Sequence, residues 1–125
     1  MKEIMKQTTK NVKAIGPYNL CVKAGGFLFT SGMIGLDPET NELREGIVAQ
    51  TEQVLVNLEN LLADAGANLD NVVKSTVFVQ SLNDFATVNE IYSKHFTSDY
   101  PARSCVEVAK LPKGALVEIE LVVAL

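Results

Sequence analysis

Along positions 47–65, apolar side chains return at steps of three and four: Ile47, Val54, Leu55, Leu58, Leu61, Leu62 and Ala65, with Thr51 on the same stripe. Glu52, Asn57, Glu59 and Asp64 fall elsewhere on the wheel, so the spacing predicts an amphipathic helix over 47–65. Gly66 follows as a C-cap glycine would. A second helical pattern spans 81–96. Ser81 or Asn83 can cap it, and Phe85, Val88, Tyr92 and Phe96 form its predicted buried stripe. The other apolar runs are shorter. Runs 20–23 and 27–34 flank Ala24-Gly25-Gly26, a hairpin signal. Segment 71–80 alternates and is rich in β-branched residues, which predicts a strand. From Tyr100 onward, two strands flank the turn 110–114. Polar segment 36–46 reads as a surface loop, and Gly16-Pro17 marks a turn.

The predicted order is β-β-α-β-α-β-β. Two helices of this length cover one face of a single mixed sheet, an α+β sandwich. In the last strand, Val117, Ile119, Leu121 and Val123 belong under the helices. Leu116, Glu118, Glu120 and Val122 face the other way. Val73, Val77 and Val79 are likewise assigned to the helix side, opposite Lys74, Thr76 and Phe78. So are Ser104, Val106 and Val108, opposite Arg103, Cys105 and Glu107. The second face mixes charge with apolar surface, an exposure that closed symmetric assembly of identical chains would resolve.

Composition narrows the function. The chain has 125 residues, 47% apolar and 21% charged, so a single globular domain over 1–125 is expected. Net charge is −4 and no basic run appears, which argues against nucleic acid as a partner. Neither a long apolar stretch nor an apolar leader is present, so no membrane role and a cytoplasmic location are expected. Cys21 and Cys105 match no zinc spacing and are not expected to pair. His95, the single histidine, sits near a helix end, where it would meet the terminal carbonyls. No GxGxxG, P-loop, HExxH or CxxC occurs, so neither a cofactor nor a metal is expected.

The chemistry-bearing candidates cluster late in the chain. Arg103, behind Pro101, is either an edge-strand charge that snorkels to water or an anion anchor whose planar fork matches a carboxylate. If the turn at 110–114 lays the last strand beside that of Arg103, Glu118 shares its cleft and can deprotonate a water. Otherwise Glu118 is a solvated strand carboxylate, as Glu120 is taken to be. Cys105 reads as a small hydrophobe rather than a nucleophile. Asn89 is a helix residue at the rim of the apolar stripe. Tyr18 is a packed aromatic held by the Gly-Pro turn. The Thr30-Ser31-Gly32 stretch could be a plain strand end, or could let a ligand approach the backbone at Gly32.

Taken together, "AIGPYN", "FTSGMIG", "DFATVNEIY" and "PARSCVEVAKLPKGALVEIE" resemble the signatures of the RidA (YjgF-like) family of reactive enamine/imine intermediate deaminases. The likeness runs from about Ala14 to the C-terminus. It implies a chorismate-mutase-like α+β fold and a homotrimeric barrel with clefts between subunits. The implied activity is hydrolysis of 2-iminobutanoate and 2-iminopropanoate, which leak from pyridoxal-phosphate-dependent dehydratases, to 2-oxo acids and ammonia. By position, Arg103 would hold the substrate carboxylate and Glu118 would orient the water. Tyr18, Ser31, Gly32, Asn89 and Cys105 would line the cleft. Met33, Asn19 and Leu20 depart from the family's usual residues and are expected to alter pocket shape. The alternatives are a non-catalytic trimer that binds small carboxylates and, disfavoured by charge, a ribonuclease or translation inhibitor. Chorismate mutase itself would want more than one site arginine; Arg44, the other arginine, lies in the polar loop.

Overall fold

A computed structural model describes residues 1–4 and 11–125. Eight elements follow one another: β1 (Glu3–Ile4), β2 (Cys21–Ala24), β3 (Phe27–Thr30), α1 (Gly46–Asp64), β4 (Val72–Val79), α2 (Phe85–His95), β5 (Ala102–Glu107) and β6 (Val117–Ala124). Short 3₁₀ turns lie at Leu69–Asn71, Leu82–Asp84 and Pro112–Gly114. The six strands form one sheet in the order β1-β2-β3-β6-β4-β5. Both helices pack on one face, so the predicted α+β architecture holds, with β1 added as a two-residue edge.

Local chemistry accounts for the elements. Gly25 and Gly26, both at positive φ, make the two-residue turn that brings Ala24 opposite Phe27. Leu55, Leu58 and Leu62 of α1 meet Val77, Ile119 and Leu121 from the sheet, all essentially inaccessible to water. Two buried side-chain amides fasten α1 to the chain around it. Asn57 donates to the Leu36 carbonyl at 2.8 Å, and Gln50 accepts from the Leu116 N–H at 2.8 Å. The α2 crossover makes β4 and β5 parallel, whereas every other strand pair is antiparallel.

Four expectations are corrected. The predicted strand 27–34 stops at Thr30, whose hydroxyl accepts from the Leu121 N–H at 2.9 Å. The chain rejoins β6 only at the Met33–Ile119 bridge, leaving Ser31 and Gly32 as a break in the strand. Val73 does not join Val77 and Val79: a bulge between Val72 and Lys74 turns it outward, 45% exposed. The faces of β5 are reversed. Arg103 lies opposite Ser75 and Cys105 opposite Val77, so both share the helix side, while Val106 lies beside Phe78 on the open face. Phe85 is exposed at the start of α2, and Ile91 takes its place in the buried stripe.

His95 also differs from expectation. Its ring does not meet helix-terminal carbonyls but bridges two carboxylates of α1, with Nε2 2.8 Å from Glu52 and Nδ1 against Glu59. Burial opposes the ring's positive charge, but the hydrogen bonds and charges of Glu52 and Glu59 outweigh it and raise the pKa above the ordinary value. The charged ring is therefore favoured in the folded state. Its contribution is full below about pH 6.5 and is lost as pH rises through the higher folded-state value. Thermal unfolding between pH 5 and 9 checks this. The native chain should lose on the order of a few degrees of Tm across that rise relative to its value at pH 5. His95→Gln should lack this step.

Candidate active site: two half-sites on opposite faces of the sheet

The first half-site lies on the helix face at the sheet's edge. Pro101 has no N–H to give the ladder and delivers the chain into β5, where Arg103 is the second residue. The guanidinium does not trail into solvent. Its Nη2 donates to Asn89 Oδ1 of α2 at 2.7 Å. Its Cζ lies 4.8 Å from the centre of the Tyr92 ring and 5.7 Å from that of Phe85. A cavity of about 370 Å³ opens here, lined by Asn89, Tyr92, Ser93, Tyr100, Pro101 and Arg103. One positive fork beside two tyrosines suits an anionic group.

Cys105, two residues along, lies on the same face and packs against the core. Burial pushes its thiol pKa up, and the nearby Arg103 charge offsets this only in part. A neutral thiol is a poor nucleophile. With His95 engaged by Glu52 and Glu59, no Cys-His pair forms.

The second half-site lies around Glu118, on the open face of the sheet. Tyr18, Ser31, Gly32, Pro112 and Glu118 line a cavity of about 250 Å³. The break after Thr30 is held in place by two bonds: the Ser31 N–H donates to the Leu20 carbonyl at 2.8 Å, and its hydroxyl donates to the Asn19 carbonyl at 2.6 Å. Tyr18 curls back so that its hydroxyl accepts from the Ile15 N–H at 3.3 Å. Gly32 leaves room for the Glu118 side chain. A Cβ there would lie 2.5 Å from the Glu118 carboxyl group. Burial raises the Glu118 pKa, and the neighbouring Glu120 carboxylate raises it further. Such a carboxylate is a stronger base than a solvated one.

Within one chain these halves do not meet. β4 separates β5 from β6, so the turn at 110–114 does not lay the strand of Glu118 beside that of Arg103. Phe78 is the register partner of both Glu118 and Val106, which fixes Glu118 on the face opposite Arg103. Tyr18, Ser31 and Gly32 gather with Glu118, and Asn89 and Cys105 with Arg103. Met33 and Leu20 line neither cavity, and both side chains are buried in the core. Asn19 contributes a backbone carbonyl. Tyr92 and Tyr100 are pocket residues that the sequence pattern does not reveal. The three-residue spacing from Asn89 to Tyr92, which puts both on one side of α2, is the signal that could have found Tyr92.

The fold and the two cavities define a class: a single-sheet α+β protein with an arginine-bearing pocket. The family model described as Endoribonuclease L-PSP matches residues 8–125. The chain is 52% identical to a RutC family protein of Synechocystis over 95% of its length and 94% of the relative's. It is 46% identical to the mouse protein named 2-iminobutanoate/2-iminopropanoate deaminase, over 92% and 86% of the two chains. The crystal structure of RidA from an Antarctic Psychrobacter superposes with a TM-score of 0.95 at 45% identity, over 98% of this chain and 99% of that one. This chain belongs to the RidA family.

The tight fit at Gly32 is testable. Gly32→Ala should displace the Glu118 carboxyl group while leaving the core intact. The native Glu118 pKa, followed by carbon NMR of the labelled side chain, should fall toward the ordinary glutamate value of 4.5 as the group gains water. An unchanged titration would show that the side chain is not confined.

Proposed function

We propose that this chain hydrolyses small 2-imino acids, 2-iminobutanoate and 2-iminopropanoate or their enamine tautomers, to 2-oxo acids and ammonia. The observation that carries this reading is the Arg103 guanidinium, held by Asn89 and Tyr92 with donors left over, in the wall of a cavity with ample room for a short carboxylic acid. The mouse relative's name points to the same substrate class.

In this mechanism Arg103 grips the carboxylate through paired N–H donors and fixes the imine carbon. Glu118 takes a proton from water as the oxygen adds to that carbon, which gives a tetrahedral carbinolamine. That proton passes to the imine nitrogen to complete the carbinolamine, whose hydroxyl proton then moves to the nitrogen by way of Glu118 as the C–N bond breaks and the C=O bond forms, and ammonia leaves. The imine reacts slowly with bulk water already, so orientation and one base supply the needed acceleration, on the order of 10² to 10⁴.

Because the halves face apart in one chain, the complete site takes Arg103 from one subunit and Glu118 from its neighbour in a homotrimer. Exposed Phe27, Phe29 and Val106 on the open face support assembly through that surface. The endoribonuclease label of the family model has weaker support, since a net charge of −4 repels a polyanion.

A coupled assay, in which a dehydratase generates the imine and 2-oxo acid release is followed, tests the reaction. Arg103→Lys keeps the charge but loses the fork, and should cost roughly 10- to 100-fold in kcat/KM. Native-like turnover by that variant would remove the anchor role. Glu118→Gln should cost about 10²-fold or more in kcat. Since burial raises the Glu118 pKa, its base form is lost on acidification earlier than for an ordinary glutamate. The acid limb of the pH–rate profile should therefore lie above pH 4.5 and vanish in Glu118→Gln.

A further inference from the structure

Tyr92 fills a place that packing alone does not explain. Its ring stacks on Phe96, with centroids 4.3 Å apart and planes at 19°. Its hydroxyl meets the Ser75 hydroxyl at 2.7 Å. Ser75 is fully buried in β4 and is the register partner of Arg103 in β5. The Arg103 guanidinium also lies over the Tyr92 ring, its Cζ 4.8 Å from the centre. The ring is thus fixed at its tip by β4 and on one side by Phe96.

We infer that Tyr92, locked by Ser75, is a positioning residue that sets the plane of the Arg103 guanidinium for carboxylate capture. This rests on the carboxylate-anchor reading of Arg103 given above. A guanidinium held over an aromatic face, as Arg103 is over Tyr92 with Cζ 4.8 Å from the ring centre, keeps N–H donors on its outer edge for a bidentate contact. Asn89 occupies Nη2 and limits rotation within the plane, while Tyr92 limits tilt. An aliphatic side chain would fill the volume without the attraction between cation and ring. Phenylalanine would keep that attraction but leave the buried Ser75 hydroxyl without its partner.

The test uses the stable product 2-oxobutanoate as probe, titrated calorimetrically into the intact assembled protein, alongside turnover. Tyr92→Leu should bind the probe about 10-fold more weakly. Its KM should rise by a similar factor, with kcat within roughly threefold, because an anchor acts on ground and transition states alike. Tyr92→Phe, which keeps the ring but loses the Ser75 lock, should bind the probe with an affinity between native and Tyr92→Leu, matching Ser75→Ala. Ile91→Ala, a core truncation one residue away on α2, should lower Tm yet keep native affinity. Native affinity in Tyr92→Leu, or equal loss in Ile91→Ala, overturns the inference.

A second readout holds if Tyr92→Leu does not fold. The Arg103 side-chain protons should be shifted upfield by the ring in native protein, and Ser75→Ala should shrink that shift together with probe affinity. Unchanged shifts and affinity would overturn the role. Binding separates the two proposals. Tight probe binding without imine turnover defeats the reaction and leaves the positioning role standing. Failure of native protein to bind the probe defeats the anchor and the positioning role with it.

Discussion

Because α2 must carry the chain back over the sheet before β5 can form, β4 and β5 run parallel and α2 lies above their junction. This one pairing brings Arg103 level with Ser75 and beneath Tyr92 and Asn89. A charge on an edge strand would ordinarily reach for water. Here it is drawn inward by a ring and an amide, and its geometry is inherited from the strand register. The ring under that charge is itself tied to a buried hydroxyl on β4, one strand in from the edge.

The opposite half-site is organised by interruption rather than by regular structure. The hydroxyl of Thr30 takes the N–H of Leu121, and the chain steps away from β6 for two residues. Glu118 occupies the space this opens. The carboxylate is partly desolvated and lies beside a second acid, Glu120, so its base strength follows from placement on the sheet. Two side chains of opposite charge are thereby prepared separately, one by aromatic packing and the other by desolvation, without neutralising each other in the same chain.

How far the sequence reveals this depends on whether a feature is local. Helix α1 is legible because its apolar stripe repeats over several turns, and the β2–β3 turn because two glycines mark it. The site residues are legible as members of a resemblance, and each lies at one of the two cavities or, for Cys105, beside the first. The faces of β5 are not legible. Alternation divides Arg103 and Cys105 from Ser104 and Val106, but only the register against β4 decides which set lies under α2. Apolar Val106 argues for the wrong answer. The bulge at Val73 depends in the same way on pairing with β6. The supposed neighbourhood of Arg103 and Glu118 follows from the short turn between their strands, yet β6 inserts between β3 and β4. Nothing within 17 residues of sequence links Ser75 to Tyr92.

The clearance at Gly32 bears on how such a pocket can be remodelled. Any side chain there competes for volume with the carboxyl group of Glu118. A side chain at position 32 therefore shifts that carboxyl group, so a change at either position is felt at the other.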